Sequence, residues 1–356
     1  MSNSTLNNNR PLILWLYSGC FLVFTMVIIG GITRLTGSGL SITEWNVVTG
    51  TLPPMNEAKW QEEFVKYQQI PQFKLLNADF TLSDFKNIYW WEYLHRLIGR
   101  LMGFAFIIPF LFFLYKKQIS RTLLPKLLFI LALGAWQGFL GWYMVKSGLV
   151  NNTHVSHYRL AIHLTNAFIT FGYIYWVILG LKAKATPINN HVSKSIKTLS
   201  LTTFLILIIQ IIYGAFVAGT HAGFMYNTWP MMGDKWIAPD VGEVLANNGL
   251  ISLIDNPLSV QFIHRTVALI LLALVLYIWL KRKNPTWNLN SVQIQSTNIV
   301  MLFILIQVLL GIFTLLFVVP VWLGVTHQAM AFLIFAAMLF QVYHMYHTQT
   351  HKQSNM

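Results

Sequence analysis

Uncharged, strongly apolar runs cover residues 11–33, 127–145, 160–181 and 198–233. Each matches or exceeds the roughly 20 residues that a helix needs to cross a bilayer. Two shorter runs, 101–115 and 266–280, reach that length if their helices begin near Glu92 and Val260. From Asn284 to His351 there is no Asp, Glu, Lys or Arg, and Pro320 divides this stretch into segments of about 296–318 and 322–343. The pattern predicts an all-α integral membrane protein with eight transmembrane helices.

The first connection between spans, roughly residues 34–92, is too long to be a bare loop. Within it Trp60, Phe64 and Tyr67 recur at i, i+4 and i+7 among Glu57, Lys59, Glu62, Glu63 and Lys66. That spacing predicts an amphipathic helix. It either lies on the membrane, caps the bundle or packs on other loops without lipid contact.

Composition agrees with the span count. Of 356 residues, 55% are hydrophobic and 10% are charged, with a formal net charge of +13; soluble domains carry about a quarter of their residues as charges. The charge is sorted. The N-terminus, the connections after spans 2, 4 and 6, and the C-terminus carry Arg10, Lys116, Lys117, Arg121, Lys126, Lys182, Lys184, Lys194, Lys197, Lys281, Arg282, Lys283 and Lys352, and no acidic residue. All eleven acidic residues fall in the first and third connections on the opposite side. The positive-inside rule therefore predicts cytoplasmic termini and a multi-pass protein of the cell inner membrane. Since the positive excess is spread over short connections, it predicts no nucleic-acid partner. The start MSNSTLNNNR reads as neither a cleavable signal nor an Arg-rich transit peptide. The single cysteine, Cys20, excludes a disulfide framework, a zinc ribbon or a CxxC pair within one chain.

The chain repeats itself. Gly30, Thr36, Gly39 and Trp45 recur as Gly214, Thr220, Gly223 and Trp229 at a constant offset of 184. His95-Arg96 recurs as His264-Arg265, Gln137-x3-Gly141 as Gln307-x3-Gly311, and His163 as His327, with the smaller offsets that a shorter third loop produces. Two tandem pseudo-symmetric four-helix bundles are expected, over 11–185 and 196–345. An even number of helices per half gives both halves one orientation, unlike an inverted-repeat transporter.

His95, His163, His264 and His327 occupy one position each in the even-numbered spans, near their outer ends, and so share one depth. Imidazoles in hydrocarbon are costly and usually functional. Two histidines from different helices in each half, with no cysteine or carboxylate to complete a tetrahedral set, suit zinc poorly. They suit a haem iron, which needs only two axial ligands. One turn inward stand Gly99, Ala167, Ala268 and Ala331, which leave clearance for a flat macrocycle; small residues also mark close helix packing. Arg96, Arg159 and Arg265 lie beside the histidines and Arg100 one turn deeper, as partners for haem propionates or as snorkelling anchors. His154, His157 and His221 are assigned to outer loops, His191 to an inner loop, and His344, His347 and His351 to a solvated C-terminal end.

The halves differ three residues before the first histidine, where Glu92 stands in one and Gln261 in the other. Glu92 shares a helix face with His95. Its carboxylate can take a proton or stabilise a cationic centre on a bound porphyrin, which the amide of Gln261 cannot do. The competing role is an ordinary helix N-terminal carboxylate favoured by the macrodipole.

GGITRLTGSGLSITEW, TGTLPPM, FKNIYWWEYLHRLIGR, VSHYRLAIHL, FIHR and THQ together resemble the haem A synthase family, in its mitochondrial and alphaproteobacterial form. The resemblance runs from about Gly30 to Ala331. It implies oxidation of the C8 methyl of haem O to a formyl group through a hydroxymethyl intermediate. It also implies haem b on His264 and His327, substrate haem near His95 and His163, and Glu92 as the essential carboxylate. A haem O synthase and an electron-transfer partner are implied as neighbours, and homo-oligomers are compatible with it. The cysteine pair that some bacterial members carry in the first outer loop is missing. The residues by themselves equally suit a di-haem electron-transfer cytochrome or a haem transporter.

Overall fold

A computed structural model of the chain describes residues 2–45, 51–149, 153–183 and 192–347. Its helices are α1 (Ser2–Leu35), α2 (Glu57–Tyr67), α3 (Pro71–Leu76), α4 (Leu82–Tyr115), α5 (Leu124–Lys146), α6 (His157–Ala183), α7 (Lys194–Gly219), α8 (Pro239–Asn248), α9 (Ser252–Asp255), α10 (Pro257–Lys281), α11 (Ser291–Leu316) and α12 (Val321–Tyr346). Eight of them, α1, α4, α5, α6, α7, α10, α11 and α12, are long and apolar enough to cross a membrane. They are the eight that the apolar runs predict, in the same order. Lys184, His191, His351 and Lys352 lie outside the described residues.

Two boundaries differ from the sequence expectation, each for a local reason. Helix α4 starts at Leu82, ten residues before Glu92, because Thr81 and Asp84 form a reciprocal capping box that satisfies the first orphan amides. Glu92 therefore sits in the third turn, and the macrodipole role falls to Asp84. Helix α7 stops at Gly219 although the uncharged run continues to 233. There the Thr220 hydroxyl donates to the Phe216 carbonyl at 2.7 Å, and His221 enters the left-handed region at φ 58° ahead of a short 3₁₀ turn, Ala222–Phe224. Apolarity alone does not extend a helix past such a residue.

The same ending closes α1. Thr36 donates to the Ile32 carbonyl at 2.8 Å, and Gly37 takes φ 68° ahead of a 3₁₀ turn at Ser38–Leu40. The offset of 184 thus carries local backbone geometry along with sequence.

The chain forms two compact units, one of Phe21–Thr170 and the other of the residues before Phe21 and those from Phe171 onward. In the first unit, Trp60, Phe64 and Tyr67 of α2 are buried against the early turns of α4. Trp60 meets Tyr89 edge-on with ring centroids 4.9 Å apart, and Phe85 lies 5.2 Å from both Phe64 and Tyr67. The apolar stripe of α2 is therefore covered by protein, with no need of lipid. Burying one such ring contributes about 1.5–3 kcal/mol. The polar face is stapled by Lys66, whose ammonium lies 2.8 Å from Glu63 and 3.1 Å from Glu44; these carboxylates hold it charged to higher pH than an isolated lysine.

In the second unit α7, α10, α11 and α12 pack around a core that includes Ile196, Ile278, Trp287 and Met345. His344 and His347 belong to the end of α12: the His344 ring packs on Phe340 at 4.0 Å, and His347 stacks on Tyr343 at 4.2 Å. His344 therefore lies inside the helix, which corrects its assignment to a solvated tail, while His347 follows the last helical residue and is exposed. His157 likewise opens α6 and is not a loop residue.

Candidate functional site

Each of the four membrane histidines lies against a glycine of the preceding long helix. A β-carbon added at Gly30 would stand 3.3 Å from His95 Nε2, at Gly141 3.3 Å from His163 Cε1, at Gly214 3.4 Å from His264 Cε1, and at Gly311 3.0 Å from His327 Cε1. Comfortable carbon contacts lie near 3.5–4.0 Å, so any larger residue at these positions pushes the imidazole away. His95 and His163 are within electrostatic reach of each other in one unit, and His264 and His327 are so in the other.

Behind three of the rings stands an amide, four residues before the glycine. Gln137 Nε2 lies 3.2 and 3.3 Å from the ring nitrogens of His163, Gln210 Nε2 lies 3.2 and 3.3 Å from those of His264, and Gln307 Nε2 lies 3.3 Å from His327 Nε2. The repeat of Gln137 and Gln307 was visible in the sequence, but their role as histidine partners was not. Gln210 stands at the same spacing from Gly214 and carries the same signal. The corresponding residue before Gly30 is Met26.

Glu92 is buried, with 3% of its surface exposed. Both carboxylate oxygens are fully engaged. Oε2 accepts from Ser41 Oγ and the Ile42 amide, each at 2.8 Å, and Oε1 accepts from Arg96 Nε at 3.0 Å and Nη2 at 2.6 Å. Arg96 in turn donates to the carbonyls of Ile42 at 2.8 Å and Glu44 at 2.7 Å, and its guanidinium lies over the Trp45 ring at 4.8 Å. Glu92 and Arg96 thus clamp residues 41–45 onto α4. Four donors thus occupy the acceptor sites of this carboxylate and fix its orientation.

The second unit has the same clamp without the anion. Arg265 lies over Trp229 at 5.3 Å and donates to the carbonyls of Pro230 and Met231 at 2.9 and 3.2 Å, while Gln261 Nε2 donates to the Tyr226 carbonyl at 3.1 Å. Arg265 Nη1 and Gln261 Oε1 are buried without a partner, as are Gln210 Oε1, Gln307 Oε1 and His327 Nδ1. Arg159 is committed elsewhere, donating to the Tyr143 carbonyl at 2.7 Å with its guanidinium 3.8 Å from that ring.

Histidine pairs backed by glycine, with unsatisfied buried donors and acceptors around one of them, fit a haem: His264 and His327 would be the residues to hold its iron, and the unpartnered Arg265 Nη1 would be a donor for a propionate. The structure brings His95 together with His163, and Glu92 with Arg96. Of the three arginines expected at propionates, it leaves a buried unused donor on Arg265.

The family model for cytochrome oxidase assembly proteins matches residues 13–339. The chain is 47% identical over 333 residues to a haem A synthase of Flavobacterium psychrophilum, covering 93% of this chain and 97% of that one. It is 45% identical over 337 residues to the haem A synthase of Flavobacterium johnsoniae, with 94% and 98% covered. A third relative, the haem A synthase of Nitrosomonas eutropha, is 43% identical over 344 residues, 95% of each chain.

Proposed function

The chain belongs to the haem A synthase family of cytochrome oxidase assembly proteins, and on that premise we propose how its two sets of histidines divide the work. It is a multi-pass membrane oxidoreductase that converts haem O to haem A. In the proposed division the half over 11–185 holds substrate haem O between His95 and His163, and the half over 196–345 holds haem b between His264 and His327. The resident haem b supplies one-electron storage and transfer. Arg265, with a free buried Nη1, is the better propionate partner; Arg96 and Arg159 serve mainly to anchor the outer loop and α5.

Glu92 is the group we assign to the chemistry at the C8 methyl, which passes through the hydroxymethyl stage to the formyl. Its bonds to Ser41, Ile42 and Arg96 fit a preorganised anion that stabilises positive charge developing on the porphyrin substituent better than a mobile base. The Ser41 hydroxyl and Arg96 hold the carboxylate in register with His95. The charge distribution supports insertion in the cell inner membrane with Arg10, Lys116 and Lys281 on the cytoplasmic side. Substrate then enters from the membrane, supplied by a haem O synthase, and electrons leave to a separate carrier. Self-association is compatible with this arrangement.

The single observation that carries the proposal is the fourfold histidine–glycine apposition, split two and two between the units. Its test is the pigment itself. Purified protein should yield protohaem together with a farnesylated haem, identified by mass, and His264→Ala or His327→Ala should abolish the low-spin haem b spectrum. Protohaem in both halves with no farnesylated species points to an electron-transfer cytochrome instead. A normal low-spin spectrum in both alanine variants overturns the ligand assignment.

A further inference from the structure

With the four histidines read as haem ligands, as above, the groups behind them differ between the two units. An imidazole that binds iron through Nε2 keeps its proton on Nδ1, and a buried Nδ1–H needs an acceptor. A glutamine amide can be donor or acceptor, because a half-turn exchanges its NH₂ and carbonyl at almost constant shape.

Gln210 is free to make that turn beside His264 Nδ1, because its carbonyl oxygen is buried and unpartnered. The Gln307 carbonyl is unpartnered too, but its amide meets His327 at Nε2 and not at Nδ1. Gln137 is not free. Its carbonyl accepts from Asn166 Nδ2, and its Nε2 also donates to the His163 backbone carbonyl at 3.1 Å, so the N–H side is locked toward the ring. The residue corresponding to Asn166, three after the histidine, is Met330 in α12. The position that holds an amide beside the other three histidines holds Met26 here, four residues before Gly30, with its Cε 3.7 Å from where a β-carbon on Gly99 would lie. Among the described residues no hydrogen bond to the His95 ring is present.

We propose that Gln210, which stands 3.2 Å from His264 Nδ1, is a positioning residue that accepts the Nδ1–H of His264 and so fixes a retained haem, whereas Met26 and the Asn166-held Gln137 deny that acceptor to His95 and His163 and keep the other haem exchangeable. A substrate haem has to leave as product. The two units share one ligand geometry, and the amides set which haem stays.

The test uses the full chain purified with both haems in detergent, with excess apomyoglobin as haem acceptor and mass identification of each haem transferred. Gln210→Met should release protohaem about 10- to 100-fold faster, the usual penalty for removing a partner of a metal-bound histidine, and should raise its midpoint potential. Gln210→Glu retains an acceptor, makes the imidazole more basic and should lower the potential. That opposite sign separates positioning from mere packing. Met26→Gln should slow release of the farnesylated haem about tenfold, with Met26→Leu unchanged. An unaltered potential and release rate in Gln210→Met overturn the proposal, as does a Met26→Gln protein indistinguishable from Met26→Leu. If Gln210→Met fails to accumulate, Met26→Gln against Met26→Leu decides it alone. Survival of low-spin haem b in His264→Ala removes instead the ligand reading on which the proposal stands.

Discussion

Four hydrogen-bond donors converge on Glu92, and replacing one carboxylate oxygen by NH₂ turns at least one of them against another donor. Glu92→Gln hardly changes side-chain volume, yet it breaks a buried ion pair with Arg96, a change that typically costs about 3–5 kcal/mol. Residues 41–45 should loosen locally, while the haem b proposed for the other unit should remain. Loss of a preorganised charge typically costs about 10²-fold or more in rate, so extracts should contain haem O or the hydroxymethyl species and little haem A. Near-normal haem A by mass would return Glu92 to a purely structural clamp. A second residue-scale outcome concerns the glycines. Gly311→Ala places a methyl 3.0 Å from His327 Cε1, overpacking that costs about 1–3 kcal/mol, so haem b occupancy should fall in the absorbance spectrum. Gly134→Ala, where nothing lies within 4 Å, should leave it intact; equal loss in both would mean a general helix-packing effect. The histidines and Glu92 were legible in the sequence because polar groups in apolar runs stand out. Ser41 and Ile42 were not, because they meet Glu92 from about fifty residues away and only through the fold of the outer loop.

At the scale of elements, the aromatic layer between α2 and α4 makes the first outer loop a folded part of its unit. Phe85 has no exposed surface and touches Phe64, Tyr67 and Tyr89. Phe85→Ala should therefore cost about 3–5 kcal/mol locally. Limited proteolysis should then cut within residues 57–76 at least tenfold faster than in the unaltered protein, with haem b retained. Undiminished protection would mean that lipid, and not α4, covers the apolar face of α2. The sequence placed α2 correctly because its i, i+4, i+7 stripe is independent of tertiary context. Its partner was not legible, since residues 82–91 look like loop until the Thr81–Asp84 box starts the helix there. The end of α7 was hidden for the converse reason: the residues after Gly219 remain apolar, and only the left-handed turn at His221 stops the helix.

At the scale of the whole molecule, the spans and their order follow from hydropathy alone, since every backbone group in hydrocarbon must be bonded within its own helix. Their orientation rests on charge. Thirteen basic and no acidic residues mark the face that carries the connections after α4, α6 and α10, and all eleven acidic residues mark the other. Reversing the protein would carry that uncompensated positive charge across the membrane, against the positive-inside bias. The prediction can be tested with little background, because Cys20 is the only cysteine and is buried. Asp79→Cys, at an exposed site between α3 and α4, should react with a membrane-impermeant maleimide in intact spheroplasts. Lys117→Cys, at the turn after α4, should react only once the membrane is permeabilised. The reverse pattern would place Glu92, His95 and the proposed haem O chemistry at the cytoplasmic end of their helix, and the delivery of substrate and the exit of electrons would have to be reassigned to that side.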